Sequence, residues 1–206
     1  MKEEYAVYKT LPGKTLQWLK QLEPYAKQGI CLDKSALLVL DMQDFFLSEQ
    51  SHAFVPVSKA IIPNVKKLMK HYTDLGKPVF CTKHVSSDKG KMLEWWNDKV
   101  QGENAEITSE LDLENTETIE KSDYSAFEGT DLKKKLEGMD SIVISGVMTH
   151  LCCESTARDA FTKGFDVYIV IDATASYNED LHLGALKALS HGFAKPIMTG
   201  DVLARD

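Results

Sequence analysis

Short, almost unbroken apolar runs alternate with longer segments of helical period from Ala36 almost to the end of the chain. Ala36–Leu40, Val79–Lys83, Ser141–Ser145 and Val167–Ile171 have the length and apolar density of strands buried on both faces. Weaker runs at Thr116–Glu120 and Pro196–Met198 complete the series. Between them, Ile61, Ile62, Val65, Leu68, Met69, Tyr72 and Leu75 recur at helical spacing over Ser58–Leu75, with Gly76 as the stop and Pro78 beyond it. Further helices are expected at Asp131–Glu137, from Thr149 to about Lys163, and at Glu179–Ser190, followed by Gly138, Gly164 and Gly192 respectively. Such alternation specifies an α/β fold, three layers deep, around a mostly parallel sheet of five or six strands.

At 206 residues and 43% hydrophobic, the chain has enough apolar material for one full core, so residues 1–206 are expected to form a single domain. Residues 1–34 precede the first strand. There Leu16, Trp18, Leu19, Leu22 and Tyr25 suggest a short amphipathic helix in an arm that packs on the body. A net charge of −7 without a basic stripe argues against nucleic acid as a partner. The opening Met1-Lys2-Glu3-Glu4-Tyr5 has no apolar signal segment and no run has the length of a membrane span. Four cysteines without zinc-finger spacing read as thiols of a reducing compartment, and we expect a cytoplasmic protein.

In open parallel sheets, ligands bind beyond the carboxyl ends of the strands. Asp41, Lys121 and the turn Gly146–Cys152 all fall at such ends. With Thr149 as an N-cap, Cys152 lies in the first helical turn, where free N–H groups and the helix dipole favour a thiolate. A free thiol with a pKa of about 8.5 is only slightly ionised at neutral pH, and a nearby lysine ammonium shifts the balance toward the anion. Each residue also has a plainer role available. Cys152 can be a small buried side chain, Asp41 a strand-end cap and Lys121 a solvated charge. Cys153 is expected to pack toward the sheet, and Cys31 and Cys81 to be structural.

Three segments carry a family resemblance. Ala36-Leu37-Leu38-Val39-Leu40-Asp41-Met42-Gln43-Asp44-Phe45-Phe46, Lys121-Ser122-Asp123-Tyr124-Ser125-Ala126-Phe127 and Gly146-Val147-Met148-Thr149-His150-Leu151-Cys152-Cys153 resemble, in order, the aspartate, lysine and nucleophile segments of the isochorismatase-like cysteine hydrolases. That family includes isochorismatases, nicotinamidases and carbamoyl amidases. The resemblance runs from about Ala36 to about Leu203. It implies an isochorismatase-like, Rossmann-type fold, with Cys152 as nucleophile, Asp41 as proton carrier and Lys121 as electrostatic partner. It also implies an oxyanion hole of the Met148 and Cys152 backbone N–H groups beside a cis Val147–Met148 peptide.

The implied reaction is hydrolysis of a C–N bond in a small amide, carbamoyl or ureido substrate through a thioester. A vinyl-ether hydrolysis driven by Asp41 is the alternative, and the stretches Asp41-Met42-Gln43-Asp44-Phe45-Phe46 and Met148-Thr149-His150 look closer to that branch. The best-known isochorismatases carry glycine at the nucleophile position, where this chain has Cys152. A non-catalytic binding module on the same fold is a third reading, because fold alone does not fix function. The nicotinamidase branch holds a divalent ion through an Asp-x-His element and a further histidine. Here that stretch reads Cys81-Thr82-Lys83-His84-Val85-Ser86, so we expect no metal and no cofactor, and nicotinamide is disfavoured on the same ground.

Gln43, Phe46, His84, Trp95 and Trp96 are candidate pocket residues. Phe46 serves equally well in the core, His84 as a structural histidine, and the tryptophans in a loop or subunit contact. Residues 86–115 lack a clean period yet carry both tryptophans, which suggests a functional excursion. The expected partner is a small molecule, with a homo-oligomer, dimer or tetramer, implied by the family.

Overall fold

A computed structural model describes residues 1–22 and 29–205. The strands are β1 (Ser35–Leu40), β2 (Val79–His84), β3 (Glu117–Lys121), β4 (Ser141–Val147), β5 (Asp166–Ala175) and β6 (Lys195–Ile197). The helices are α1 (Leu11–Leu19), α2 (Asp44–Leu47), α3 (Ser58–Asp74), α4 (Lys91–Trp96), α5 (Leu132–Lys135), α6 (Glu154–Thr162), α7 (Glu179–Gly192) and α8 (Thr199–Leu203). All six strands pair in parallel in the order β3-β2-β1-β4-β5-β6. The chain winds outward from β1 to β3, then restarts on the other side of β1 with β4. The crevice between β1 and β4 is therefore the switch point where such sheets bind ligands.

The period of two along β1 sorts its side chains cleanly. Leu37 and Val39 pack with Trp18, Ile61, Val65 and Leu68, and so with α1 and α3. Ala36, Leu38 and Leu40 face Leu132, Ala157, Leu186 and Leu189, from α5, α6 and α7. Both faces are covered, which explains why the strand is apolar throughout and buried at every position.

Several boundaries differ from the sequence reading. Leu16 is 56% exposed, while Leu11, Thr15 and Trp18 form the buried stripe of α1. Leu22 is buried, and Tyr25 lies outside the described residues. The expected Asp131–Glu137 helix is a single turn. β4 and β5 run on past their expected ends to Val147 and Ala175, through a register shift between Ile144 and Gly146. Thr149 is not an N-cap: it opens a turn of π-helix, Thr149–Cys153, that precedes α6. The Cys153 N–H donates to the Met148 carbonyl, five residues back, at 3.2 Å. The Thr149 hydroxyl instead meets His182 Nδ1 of α7 at 2.8 Å. Among the described residues no helix is long and apolar enough to cross a membrane.

Candidate active site

β1 ends at Leu40, and Asp41 follows with φ of 50° in the left-handed region. This turns its carboxylate back over the sheet rather than out to solvent. Its neighbour across the β1–β4 crevice is Gly146, paired with Leu40 and at φ of 108°. A Cβ on Gly146 would stand 2.1 Å from the Leu40 carbonyl oxygen, so only glycine lets the two strands approach there.

The Asp41 carboxylate is fully buried and bonded on both oxygens. Thr82, from the end of β2, donates its hydroxyl to Oδ1 at 2.6 Å and accepts the Asp41 N–H at 3.0 Å. Lys121, the last residue of β3, donates from Nζ to Oδ2 at 2.8 Å. The same Nζ donates to the Asp123 carbonyl at 3.0 Å and lies 3.5 Å from Cys152 Sγ. One ammonium thus touches both the carboxylate and the sulfur. Neither side chain of the Lys121–Asp41 pair has any exposure, and Cys152 is 6% exposed.

The loop after Lys121 is tied to the helix after Cys152, which fixes that geometry. The Ala126 N–H donates to the Thr156 hydroxyl at 3.0 Å, and Ser125 donates to the Asp159 carboxylate. The second bond accounts for the hydroxyl of Ser125. The Val147–Met148 peptide is cis.

Electrostatics here differ from the sequence expectation of a stabilised thiolate. Burial pushes the Cys152 thiol well above its ordinary range, the Asp41 carboxylate adds to that, and Lys121 offsets only part. Burial also opposes the Lys121 charge, but the Asp41 carboxylate works against that and the ammonium is held above its usual range. The resting site is therefore a neutral thiol beside an ion pair. Cys153, fully buried, packs with Leu38, Leu40 and Ile144, and its thiol is pushed up by the same burial.

Above Cys152 lies a cavity of about 300 Å³. Of the candidate pocket residues, Phe46, His84 and Trp96 line it. Gln43 does not. Its amide is fully engaged, donating to the His84 and Ala105 carbonyls at 2.9 and 2.6 Å and accepting the His84 N–H at 2.8 Å. Trp95 also turns away and is 79% exposed, because α4 is only a turn and a half long and presents its next residue inward. Trp96 is held there by its indole N–H, which donates to the Tyr124 hydroxyl at 2.8 Å.

Phe45, Tyr124, Leu151, Tyr177 and Lys2 also face the cavity; the first three lie within the segments that carry the family resemblance, but none was a pocket candidate. Thr82 was legible in principle, since period two along β2 puts it on the same strand end as His84. The His84 ring is buried, Nδ1 has no hydrogen-bond partner among the described residues, and burial followed by the Lys121 charge pushes its pKa down. Among the described residues no three His, Cys, Asp or Glu side chains converge as metal ligands, and Ser86 stands two residues after His84. Cys31, Cys81, Cys152 and Cys153 are all free thiols.

Comparison with known proteins identifies the family. The family model described as Isochorismatase domain matches residues 35–201. Nicotinamidase 3 of Arabidopsis thaliana is 41% identical over 171 residues, covering 78% of this chain and 82% of that protein. The Isochorismatase of Bacillus subtilis (strain 168) is 29% identical over 180 residues, covering 83% of this chain and 57% of its own length. The crystal structure of a cysteine hydrolase from Pseudomonas syringae pv. phaseolicola 1448A shares the fold, with a TM-score of 0.81 at 23% identity over 88% of this chain and 96% of that one. With its sheet order, its strand-end residues and a domain match spanning most of its length, the chain belongs to the isochorismatase family and is a hydrolase.

Proposed function

We propose that the chain is a cysteine amidohydrolase, cleaving the C–N bond of a small amide, carbamoyl or ureido compound through a thioester on Cys152. The observation that carries this reading is the single Lys121 ammonium, 2.8 Å from Asp41 and 3.5 Å from Cys152, beneath a cavity of substrate size. A buried neutral thiol is a poor nucleophile, so it needs a base at the moment of attack. Asp41 is that base. It takes the thiol proton as sulfur bonds to the substrate carbonyl carbon, and the oxyanion accepts N–H donors from the Met148 and Cys152 backbone. Lys121 keeps the carboxylate in place and offsets the negative charge that moves onto sulfur.

Asp41 then gives the proton to the nitrogen, the C–N bond breaks and ammonia or an amine leaves. Water attacks the thioester, Asp41 takes its proton, and the departing sulfur is reprotonated. The balance is amide plus water to acid plus amine. What supports this order is that the Asp41 carboxylate interacts with the Cys152 thiol and shares the Lys121 ammonium with it, while Cys152 itself lines the cavity. No step runs through a metal, since the described residues supply no ligand set for one.

The likeness to a nicotinamidase at 41% identity supports an amide substrate. It also returns nicotinamide to the candidates, against the sequence-based objection, which rested on the metal element alone. Likeness to an isochorismatase favours the second reading, protonation of a vinyl ether by Asp41 without use of the sulfur. One experiment separates them. Wild type and Cys152→Ala are incubated with nicotinamide, benzamide, ureido compounds and isochorismate, and ammonia and pyruvate are measured. Ammonia release that vanishes in the variant supports the amidohydrolase; pyruvate release that survives the substitution supports the ether reading and overturns the first.

A further inference from the structure

The arm before β1 does more than pack on the body. Its first residues run along the loop between β5 and α7, at the carboxyl end of the sheet. The Glu3 N–H donates to the Tyr177 carbonyl at 2.8 Å, Asn178 donates from Nδ2 to the Met1 carbonyl at 2.9 Å, and the Glu179 N–H donates to Glu3 Oε1 at 2.8 Å. The buried Tyr5 accepts the Ser176 N–H on its hydroxyl at 3.0 Å. This row of bonds delivers Lys2 to the mouth of the cavity above Cys152. Lys2 Nζ donates to the His52 carbonyl on the opposite wall and stands 4.6 Å from the centroid of the Tyr177 ring. It therefore bridges the two sides of the opening.

The charges around that opening do not cancel. Asp98, the carboxylate lining the cavity wall, is occupied by His52 Nε2 at 2.7 Å and by the Lys99 N–H at 2.7 Å. Lys2 has no carboxylate partner among the described residues. A carbonyl and an aromatic face are weaker partners for an ammonium than an anion is, and a lysine has three donors. Partial burial lowers its pKa, consistent with an ammonium that has shed water without gaining a counter-charge. The wall between Lys2 and Cys152 is apolar and aromatic, with Phe45, Phe46, Leu151 and Tyr177.

We infer that Lys2 is a specificity-determining residue, which binds a carboxylate at the far end of a substrate whose amide lies over Cys152. The substrate class is then an amide on a short apolar body that ends in an anionic group, rather than a wholly neutral carboxamide. This rests on the amidohydrolase reading for where the amide lies, but the binding of the anion can be measured without turnover.

The test uses the full chain carrying Cys152→Ala, with Lys2 intact, Lys2→Met or Lys2→Arg. Calorimetry measures the affinity of 3- and 4-carbamoylbenzoate and of their methyl esters. With Lys2 intact, at least one carboxylate should bind roughly ten- to a hundred-fold more tightly than its ester, the range for a hydrogen bond to a charged group. Lys2→Met should abolish that preference and Lys2→Arg should keep it. Equal affinity for carboxylate and ester, a preference that survives Lys2→Met, or no binding of either carboxylate overturns the proposal. Ammonia release by the chain with Cys152 in place tests the amidohydrolase reading separately. Release from the esters without any preference for the carboxylates sustains that reading and overturns this one.

Discussion

A buried lysine between a carboxylate and a thiol is costly unless every charge has a partner. Lys121 meets that condition with Asp41 and the Asp123 carbonyl, which is why the pair persists with no solvent contact. Lys121→Met should therefore act twice. It strands the Asp41 carboxylate, costing about 3–5 kcal/mol of stability as read by denaturant unfolding. It also removes the charge that offsets a forming thiolate, so ammonia release should fall by at least about a hundred-fold. Because burial and Asp41 push the Cys152 thiol up, its alkylation should be slow at neutral pH and rise steadily through the alkaline range. A fast phase at pH 6 in an iodoacetamide time course, mapped to the Cys152 peptide, would contradict a resting neutral thiol there. That Asp41, Lys121 and the turn carrying Cys152 meet at one edge of the sheet was legible in the sequence, because each follows a predicted strand of one parallel sheet. Their protonation was not, since it depends on how completely the neighbours exclude water. Gln43 was misread for a related reason: a polar side chain near a strand end looks like a ligand contact until its backbone partners are known.

Strands and turns set the spacing that the chemistry needs. Gly146 lets β4 pass against Leu40, so Gly146→Ala meets both an unfavourable φ and a backbone clash. It should destabilise the fold by more than about 3 kcal/mol, measured as a shift in the denaturant midpoint. Leu38→Ala, a cavity in the layer under α6 and α7, should cost about 2–5 kcal/mol by the same measurement. The strand runs and the long α3 were readable because their apolar periods are regular. Two elements were not. The π turn at Thr149–Cys153 and the extension of β5 depend on contacts across the sheet, to His182 and to β4, which no local pattern encodes. Trp95 and Trp96 show the same limit, because which of two neighbours faces the cavity is decided by where α4 docks on Tyr124.

At the scale of the molecule, the arm, α7 and the nucleophile turn form one connected unit. His182 of α7 binds Thr149 of the turn and lies 4.7 Å from the Trp18 ring and 5.6 Å from the Tyr5 ring of the arm, centroid to centroid. Burial lowers its pKa from 6.5 to about 3. Between those values the unfolded chain binds a proton that the folded chain does not, so acidification favours unfolding. Stability should fall as pH drops from 6.5 toward 3, and His182→Gln should flatten that slope when unfolding midpoints are compared across the range.

Covalent chemistry at Cys152 is tested by the intact mass of the protein quenched in acid during turnover of an amide substrate. A mass increase equal to the acyl group, mapped to the Cys152 peptide and missing from Cys152→Ala, is the expected result. Product release at the wild-type rate by Cys152→Ala, with no adduct in either protein, would contradict it.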